Sequence, residues 1–599
     1  MFKRILSGKP QWHVAGNAAL VLLVFLAFGH SLLQDFAPID DTLLVRENLA
    51  IRGISWSNLR YVFTHYDPEL YIPLTFVSFQ INYLFGGLDP FGFHFGNILL
   101  HAVNAVLVHV FLKKLMCRSR SGEPRLSAAS HSTAEAAAFV GAVIFAVHPL
   151  HTEAVVWIAG RKDLLFTFFY LLTLIVYVEG KSRSRSSSVW YCASIVFAAL
   201  AMLSKATAMT LPIVLILVDG YLHAVEHRGS PLRQRSVILH KIPFLLLSVA
   251  CALIALGGKE RVVGSTTLLE TVAVALRSTA HYVWQFLVPY GFSVFYEQRE
   301  PVVDFHVALS LVLSIAVLFW AWRKRRSHPS ILFGLLFYLI TLSPTFLNFH
   351  KGLISFYAVD RYAYLPSVGL CIVLATLLRS RRSASMILCA AAIILLVLSR
   401  YQSRVWDSPE TLYRHAISVD PPSVPARTTL AQVLRQMHRT IEAFEVLREG
   451  LQFGDDVSYR LEAGNIYAAN GQIADAIGEF AKASQMKPDL PEPYFSIGSL
   501  EDRRGHADLA LEYYRTALSL DPSYVAARSR IAGILIDRNT YAEAEEQLIE
   551  ALRWNESSFI ANFQMYRLRI AQGREEEAQQ YYDRAKALRP HAPELQHAL

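Results

Sequence analysis

The chain has 599 residues, 53% of them hydrophobic and only 18% charged, with a formal net charge of +8. A wholly soluble chain of this length would carry more charge, so that class is excluded and part of the molecule lies in lipid. Apolar runs are confined to residues 12–400 and the remainder is charged and amphipathic, which divides the chain into a membrane domain (1–400) and a soluble C-terminal domain (401–599). The five cysteines (Cys117, Cys192, Cys251, Cys371, Cys389) lie in or beside apolar runs without metal-ligand spacing and read as small buried hydrophobes.

Residues 12–33 form the first predicted span, since about 20 apolar residues cross a bilayer. The run is too long for a signal peptide and lacks a small-residue cleavage site. Directly after it comes Asp35-Phe36-Ala37-Pro38-Ile39-Asp40-Asp41. A carboxylate at a membrane interface beside a like charge is a candidate general base, because desolvation and repulsion both raise its pKa. The competing reading has Asp40 and Asp41 capping the next helix. Residues 56–88 carry aromatic faces broken by polar residues, the pattern of helices lying in the interface plane.

Further spans are predicted near 93–115, 134–148, 164–179, 189–204, 207–223, 243–257, 305–322, 331–347, 365–379 and 385–399, eleven in all. Basic clusters occur at Lys3/Arg4, Lys113/Lys114/Arg118/Arg120, Lys181/Arg183/Arg185, Arg228/Arg233/Arg235, Arg323 to Arg326 and Arg379/Arg381/Arg382. Eleven spans place every cluster in the cytoplasm, as the positive-inside rule requires. Counting the apolar stretch 267–290 would invert all later loops, so it reads as re-entrant or interfacial. The C-terminal domain is then exoplasmic. One face collects Asp40, Asp41, His148 to Glu153, Arg161 to Asp163, Lys205, Lys259 to Arg261 and His350 to Pro366. Arg161, Lys205 and Arg361 suit an anionic lipid headgroup such as a phosphate. Alternatively, Arg161 pairs with Asp163 and Arg361 with Asp360 as interfacial anchors.

From about residue 424 the chain repeats with the tetratricopeptide period of 34. Ala476, Ala510, Ala544 and Ala578 recur where paired helices approach most closely, Gly464 and Gly498, and Gly471, Gly505 and Gly573, recur at the same period, and Pro488, Pro522 and Pro590 end the units. Repeats are placed near 424–457, 458–491, 492–525, 526–559 and 560–593, the first slipped by one residue, with a half-repeat before them. Such a solenoid binds a peptide or protein partner. No nucleic-acid partner is expected.

With these residues in view, His148-Pro149-Leu150-His151-Thr152-Glu153 and Gly160-Arg161-Lys162-Asp163 resemble the signature of the transmembrane and tetratricopeptide-repeat O-mannosyltransferases. Asp40-Asp41, Ser204-Lys205 before Leu211-Pro212, and Asp360-Arg361-Tyr362-Ala363-Tyr364-Leu365-Pro366-Ser367 look like the family's other landmarks. The resemblance implies an all-α architecture: a bundle of about eleven membrane helices of the C-type glycosyltransferase fold, followed by an exoplasmic α-solenoid. It implies transfer of a mannose-like hexose from a polyprenyl-phosphate donor to a hydroxyl, Ser or Thr of exported proteins, with the repeats taking the protein acceptor. Asp40 or Asp41 would be the base; Arg161, Lys205, Arg361 and Tyr362 would hold the donor phosphate and lipid. His148, His151, Glu153, Asp163 and Asp360 would orient the acceptor or phosphate. His148, His151 and Glu153 are also suitable divalent-metal ligand types, although no spacing demands a metal. The expected location is a bacterial inner membrane with periplasmic repeats, or the endoplasmic reticulum in a eukaryote. A non-enzymatic membrane-anchored repeat scaffold is the alternative. A transporter would place charges within the spans and duplicate its halves, and neither feature is present.

Overall fold

The computed structural model describes residues 10–37, 39–66, 70–118, 128–181, 187–226, 239–259, 267–299, 303–347, 350–351, 354–379, 384–589 and 592–596. Pro38, Pro590, Glu260, Arg261 and the basic residues Lys3, Arg4, Arg120, Arg183, Arg185, Arg228, Arg233, Arg235, Arg381 and Arg382 lie outside the described residues. Two compact units are present: Met1–Arg46 with Ala50–Asp420, and Glu47–Leu49 with Pro421–Leu599.

The first unit is built from apolar helices, and the protein is a membrane protein. Among the described residues, Val14–Leu33, Pro90–Met116, Ile158–Lys181, Ala206–Val225, Phe305–Lys324 and Pro329–Leu347 are long and apolar enough to cross a bilayer. His131–Val147 and Pro149–Val156 make a seventh candidate bent by 51°. The bend has a local cause: Pro149 has no N–H to continue the ladder, and the His148 side chain accepts from the Leu150 N–H instead. Ser188–Ser204, Ile242–Gly258 and Ser367–Leu378 are shorter apolar helices. The remaining expected span coincides with the helix Ala384–Arg404, whose last turns carry Arg400 and Arg404. Eleven expected spans therefore all meet helices, while six or seven satisfy length and composition.

Trp56–Thr64 and Pro73–Gly86 have 9 and 14 residues. At about 1.5 Å per residue both are too short to span the hydrocarbon core. Helix Leu268–Leu287 starts with a capping box between Thr267 and Glu270 and is tied down by Arg277 to Asp304 at 3.1 Å. The all-α reading misses a small antiparallel sheet in the order Tyr296–Glu297, Ile354–Ala358, His350–Lys351. Its central strand delivers Asp360 and Arg361 to the bundle.

Helix Arg161–Lys181 carries charge at both ends. Near its C-terminus Tyr177 donates to Asp219 at 2.9 Å, and Lys241 pairs with Asp219 at 2.6 Å. The 21 residues between the two ends amount to about 30 Å of helix.

Among the described residues the second unit contains five antiparallel helix pairs: Val424–Gln436 with Thr440–Gly450, Val457–Ala469 with Ile473–Met486, Pro491–Arg503 with Ala507–Leu520, Val525–Asp537 with Tyr541–Trp554, and Phe559–Ala571 with Glu575–Leu588. Ala476, Ala510, Ala544 and Ala578 are completely buried where the pairs meet. The intervening turn needs a left-handed residue: Gly471, Gly505 and Gly573 supply it at φ +76°, +82° and +74°, Asn539 at 60° and His438 at 59°. His438 stands one place beyond the 34-residue register, which is the slip seen in the first repeat.

Gly464 permits one helix contact that a side chain would obstruct, since a Cβ there would meet the Phe480 ring at 2.6 Å. Gly464→Ala should lower the unfolding midpoint of the purified chain by the equivalent of about 1–3 kcal/mol. Gly478→Ala, where a Cβ meets nothing within 4 Å, should leave it unchanged or raise it by up to about 1 kcal/mol. Thermal denaturation followed by circular dichroism distinguishes the two.

Candidate functional site

Four segments at the ends of apolar helices build the site. The first is the loop through Asp40 and Asp41 after Val14–Leu33. The second is the broken stretch from His148 to Gly160, where Trp157 is extended (φ −71°, ψ 126°) before helix Arg161–Lys181 begins. Lys205, extended at φ −162°, is the third. The 3-10 turn Asp360–Ala363 is the fourth.

Adjacent Asp40 and Asp41 have different surroundings. Asp41 is fully buried. Its Oδ1 accepts from the Ala159 N–H at 2.8 Å and its Oδ2 from the Ala37 N–H at 2.9 Å. It thereby pins the first loop to the turn before Arg161. Burial pushes its carboxyl up to about 7, against the pull of those two N–H groups. Asp40 is 37% exposed, and its Oδ2 lies 3.7 Å from the Lys162 ammonium.

The three charged residues that open helix Arg161–Lys181 diverge, as successive residues 100° apart must. Arg161 is buried in a cage of neutral acceptors: Asn97 Oδ1, Asn82 Oδ1 at 2.9 Å and the Phe93 carbonyl at 2.7 Å. It stacks over Phe79 with 5.4 Å to the ring centroid. Gly96 leaves it room, since a Cβ there would meet its guanidinium at 2.6 Å. Lys162 lies toward Asp40, and Asp163 pairs with Lys205 at 2.5 Å. The anchoring pairs Arg161–Asp163 and Arg361–Asp360 considered from sequence are replaced by Lys205–Asp163 and Arg361–Glu153.

Glu153, 4% exposed, receives both the backbone N–H of Arg361, at 2.8 Å, and its guanidinium. Burial works against the charge of Arg361, but the Glu153 carboxylate more than offsets it and holds its pKa above the ordinary value. Asp360 instead accepts from the Tyr296 hydroxyl at 2.8 Å. Burial, reinforced by the Glu153 charge, raises the Asp360 carboxyl well above its usual range. The Tyr362 ring lies 5.2 Å from the Lys205 ammonium and 5.3 Å from the Arg361 guanidinium.

The histidines are set deeper. Leu150 donates to His148 Nδ1 at 3.2 Å, so Nε2 carries the proton and donates to the Phe286 carbonyl at 3.0 Å. His151 contacts the Phe145 carbonyl through Nδ1 at 2.8 Å and Ser367 Oγ through Nε2 at 2.9 Å. Their nitrogens are engaged in holding the broken helix. Among the described residues no group of three or more His, Cys, Asp or Glu is arranged to hold a metal ion. Unforeseen is His101, which joins Tyr364 Oη at 2.7 Å and the Ala146 carbonyl at 3.1 Å.

Residues 127–257 match the family described as dolichyl-phosphate-mannose-protein mannosyltransferase, and residues 503–558 match tetratricopeptide repeat. The chain is 28% identical to human protein O-mannosyl-transferase TMTC4 over 408 residues, 59% of this chain and 53% of the relative. It is 26% identical to human protein O-mannosyl-transferase TMTC1 over 510 residues, 73% of this chain and 55% of the relative. With Xenopus laevis protein O-mannosyl-transferase tmtc2 it shares 31% over 216 residues, 34% of this chain and 23% of the relative. The chain is similar to these protein O-mannosyl-transferases. It spans about half the length of the two human proteins. A crystal structure of YrrB, a tetratricopeptide-repeat protein, is similar over 31% of the chain and 96% of YrrB at 19% identity, with a TM-score of 0.24.

Trp157, Asn97 and His101 join the candidate site without having been singled out in the sequence, where Lys162 stood only as part of the Gly160-Arg161-Lys162-Asp163 stretch. The usable signal was the charged triplet at a helix start. A 100° step sends Arg161 and Lys162 to different surroundings, so one triplet cannot serve one role.

The Asp41 carboxyl has a measurable signature. Between the ordinary carboxylate range and about pH 7 the native state holds a proton that the unfolded chain has released. Stability therefore falls as pH rises through that window. Asp41→Asn removes the titration. The unfolding midpoint of the unaltered protein, measured by intrinsic fluorescence against that of Asp41→Asn, should decline toward pH 7 and level off above it. Parallel profiles for the two proteins would contradict the assignment.

Proposed function

We propose that the chain is a membrane glycosyltransferase that moves a mannose-like hexose from a polyprenyl-phosphate donor to a Ser or Thr hydroxyl of an exported protein. Residues 1–400 carry the reaction and 401–599 bind the acceptor. The setting is a bacterial inner membrane, with site and repeats on the periplasmic face. The observation that carries this reading is the placement of a partly exposed carboxylate, Asp40, in one cluster with Lys162, Lys205 and Arg361 at the ends of apolar helices.

The chemistry needs those parts. The acceptor hydroxyl attacks the anomeric carbon and gives its proton to a carboxylate. The bond from that carbon to the phosphate oxygen breaks, and the leaving lipid phosphate gains negative charge that neighbouring cations stabilise. Asp40 is the base, because its side chain is 37% exposed, whereas Asp41 is completely buried. Glu153 and Asp163 set the positions of Arg361 and Lys205. Arg161, caged by neutral acceptors, fixes the start of its helix.

Asp40→Asn should lower transfer by about 10²–10⁴-fold in the purified full chain while donor lipid still binds. Near-normal transfer in a folded Asp40→Asn protein would remove Asp40 as the base. No transfer by the unaltered protein to any exported acceptor would favour the scaffold alternative.

A further inference from the structure

The three cations of the cluster are not equivalent. Lys205 is bonded to Asp163 at 2.5 Å, and the Arg361 guanidinium is held by Glu153. Lys162 differs. Its side chain is only 7% exposed, yet the nearest carboxylate oxygen, on Asp40, is 3.7 Å away, beyond hydrogen-bond range. Among the described residues nothing accepts from its ammonium. Two further donors nearby are stranded: Trp157 Nε1 and Arg361 Nε are buried without a partner. All three belong to one small assembly, with the Lys162 ammonium 4.9 Å and the Arg361 guanidinium 4.8 Å from the centroid of the Trp157 ring.

Leaving a buried donor unmade costs about 1–3 kcal/mol, and more when it is charged. Like charges brought to a shared ring add repulsion. Three donors, two of them on cations, gathered without an acceptor describe a receptor for an oxyanion with several oxygens. A carboxylate of the chain would be the cheapest solution, and none of those nearby reaches hydrogen-bond distance of Lys162: Glu153 bonds to Arg361, Asp163 to Lys205 through one of its oxygens, Asp41 to two backbone amides, and Asp40 stays at 3.7 Å.

We propose that Lys162, Trp157 Nε1 and Arg361 Nε form the cradle for the donor's lipid-linked phosphate, with Lys162 as its principal anchor in place of Arg161. This rests on the transferase reading. The phosphodiester of the donor carries one negative charge. When its bond to the sugar breaks, the electron pair stays on the phosphate, which departs as a monoester with the greater charge. The cradle therefore binds the product headgroup more strongly than the donor headgroup, and so favours cleavage. Lys162 stands 3.7 Å from Asp40, which brings phosphate and base to one ammonium. Arg361 then has two roles on different nitrogens, Nη1 toward Glu153 and Nε toward the ligand.

The test uses the full chain in lipid nanodiscs with two probes, polyprenyl phosphate and inorganic phosphate, alongside donor-dependent transfer. Lys162→Gln should weaken polyprenyl-phosphate binding by about tenfold or more and raise the KM for donor. Lys162→Arg should restore most of the binding. Trp157→Phe, which keeps a ring and removes the N–H, should cost a smaller factor. Lys181→Gln, at the opposite end of the same helix, should change nothing and serves as the control for charge alone. Inorganic phosphate should compete weakly; competition as strong as the lipid's would overturn the lipid assignment. Unchanged lipid binding in folded Lys162→Gln would overturn the inference even if transfer persists. Lys162-dependent binding in a protein that transfers no sugar would uphold the cradle and overturn the transferase reading.

Discussion

The buried pair between Glu153 and Arg361 is the interaction on which the site depends. It joins the broken apolar stretch, which carries Glu153 just after the Pro149 bend, to the turn that follows the central strand. A buried ion pair is a weak source of net stability, because desolvation consumes most of the Coulomb gain. Removing one partner is costly, since an uncompensated charge stays behind. The pair therefore acts as a coupling: neither segment can shift without stranding the other. Asp41, bonded to Ala37 and Ala159, does the same for the first loop, and Asp163 does it for Lys205. Three carboxylates thus hold four segments together in one cluster.

These ties leave the four cations with different partners. Arg161 meets neutral acceptors, and Lys205 and Arg361 meet carboxylates. Lys162 alone of these four side chains meets a carboxylate only beyond hydrogen-bond distance. The helix start determines this allocation, because Arg161, Lys162 and Asp163 leave the axis in three directions. Charge at the far end of the same helix, where Asp219 joins Tyr177 and Lys241, is closed on itself. The two ends of the helix therefore differ: the far end is closed, while Lys162 at the near end stays 3.7 Å from its nearest carboxylate.

Much of the architecture was legible in the sequence for physical reasons. Apolar runs of span length and a repeat of 34 have few structural solutions, and Ala476, Ala510, Ala544 and Ala578 lie at helix contacts because only a small side chain fits there. The small sheet was not legible: its outer strands have two residues each, which carry no periodicity, and the central one has only five. Within the site, residue types were readable and partners were not. His148 and His151 have the chemistry of ligands, yet both serve the broken helix through backbone carbonyls and neighbouring groups. Pairing depends on contacts between residues as far apart as Glu153 and Arg361, a separation of 208, and local spacing cannot specify it.

On the proposed function, the cluster carries out sugar transfer at a membrane surface while the repeats hold the acceptor. The most direct measurement is intact mass spectrometry of an exported acceptor protein incubated with the purified full chain and a synthetic polyprenyl-phosphate mannose. The account predicts a mass increase of one hexose per modified site, at Ser or Thr, that requires the lipid-linked donor. An acceptor whose mass never changes, with correctly folded protein and donor in excess, would contradict it.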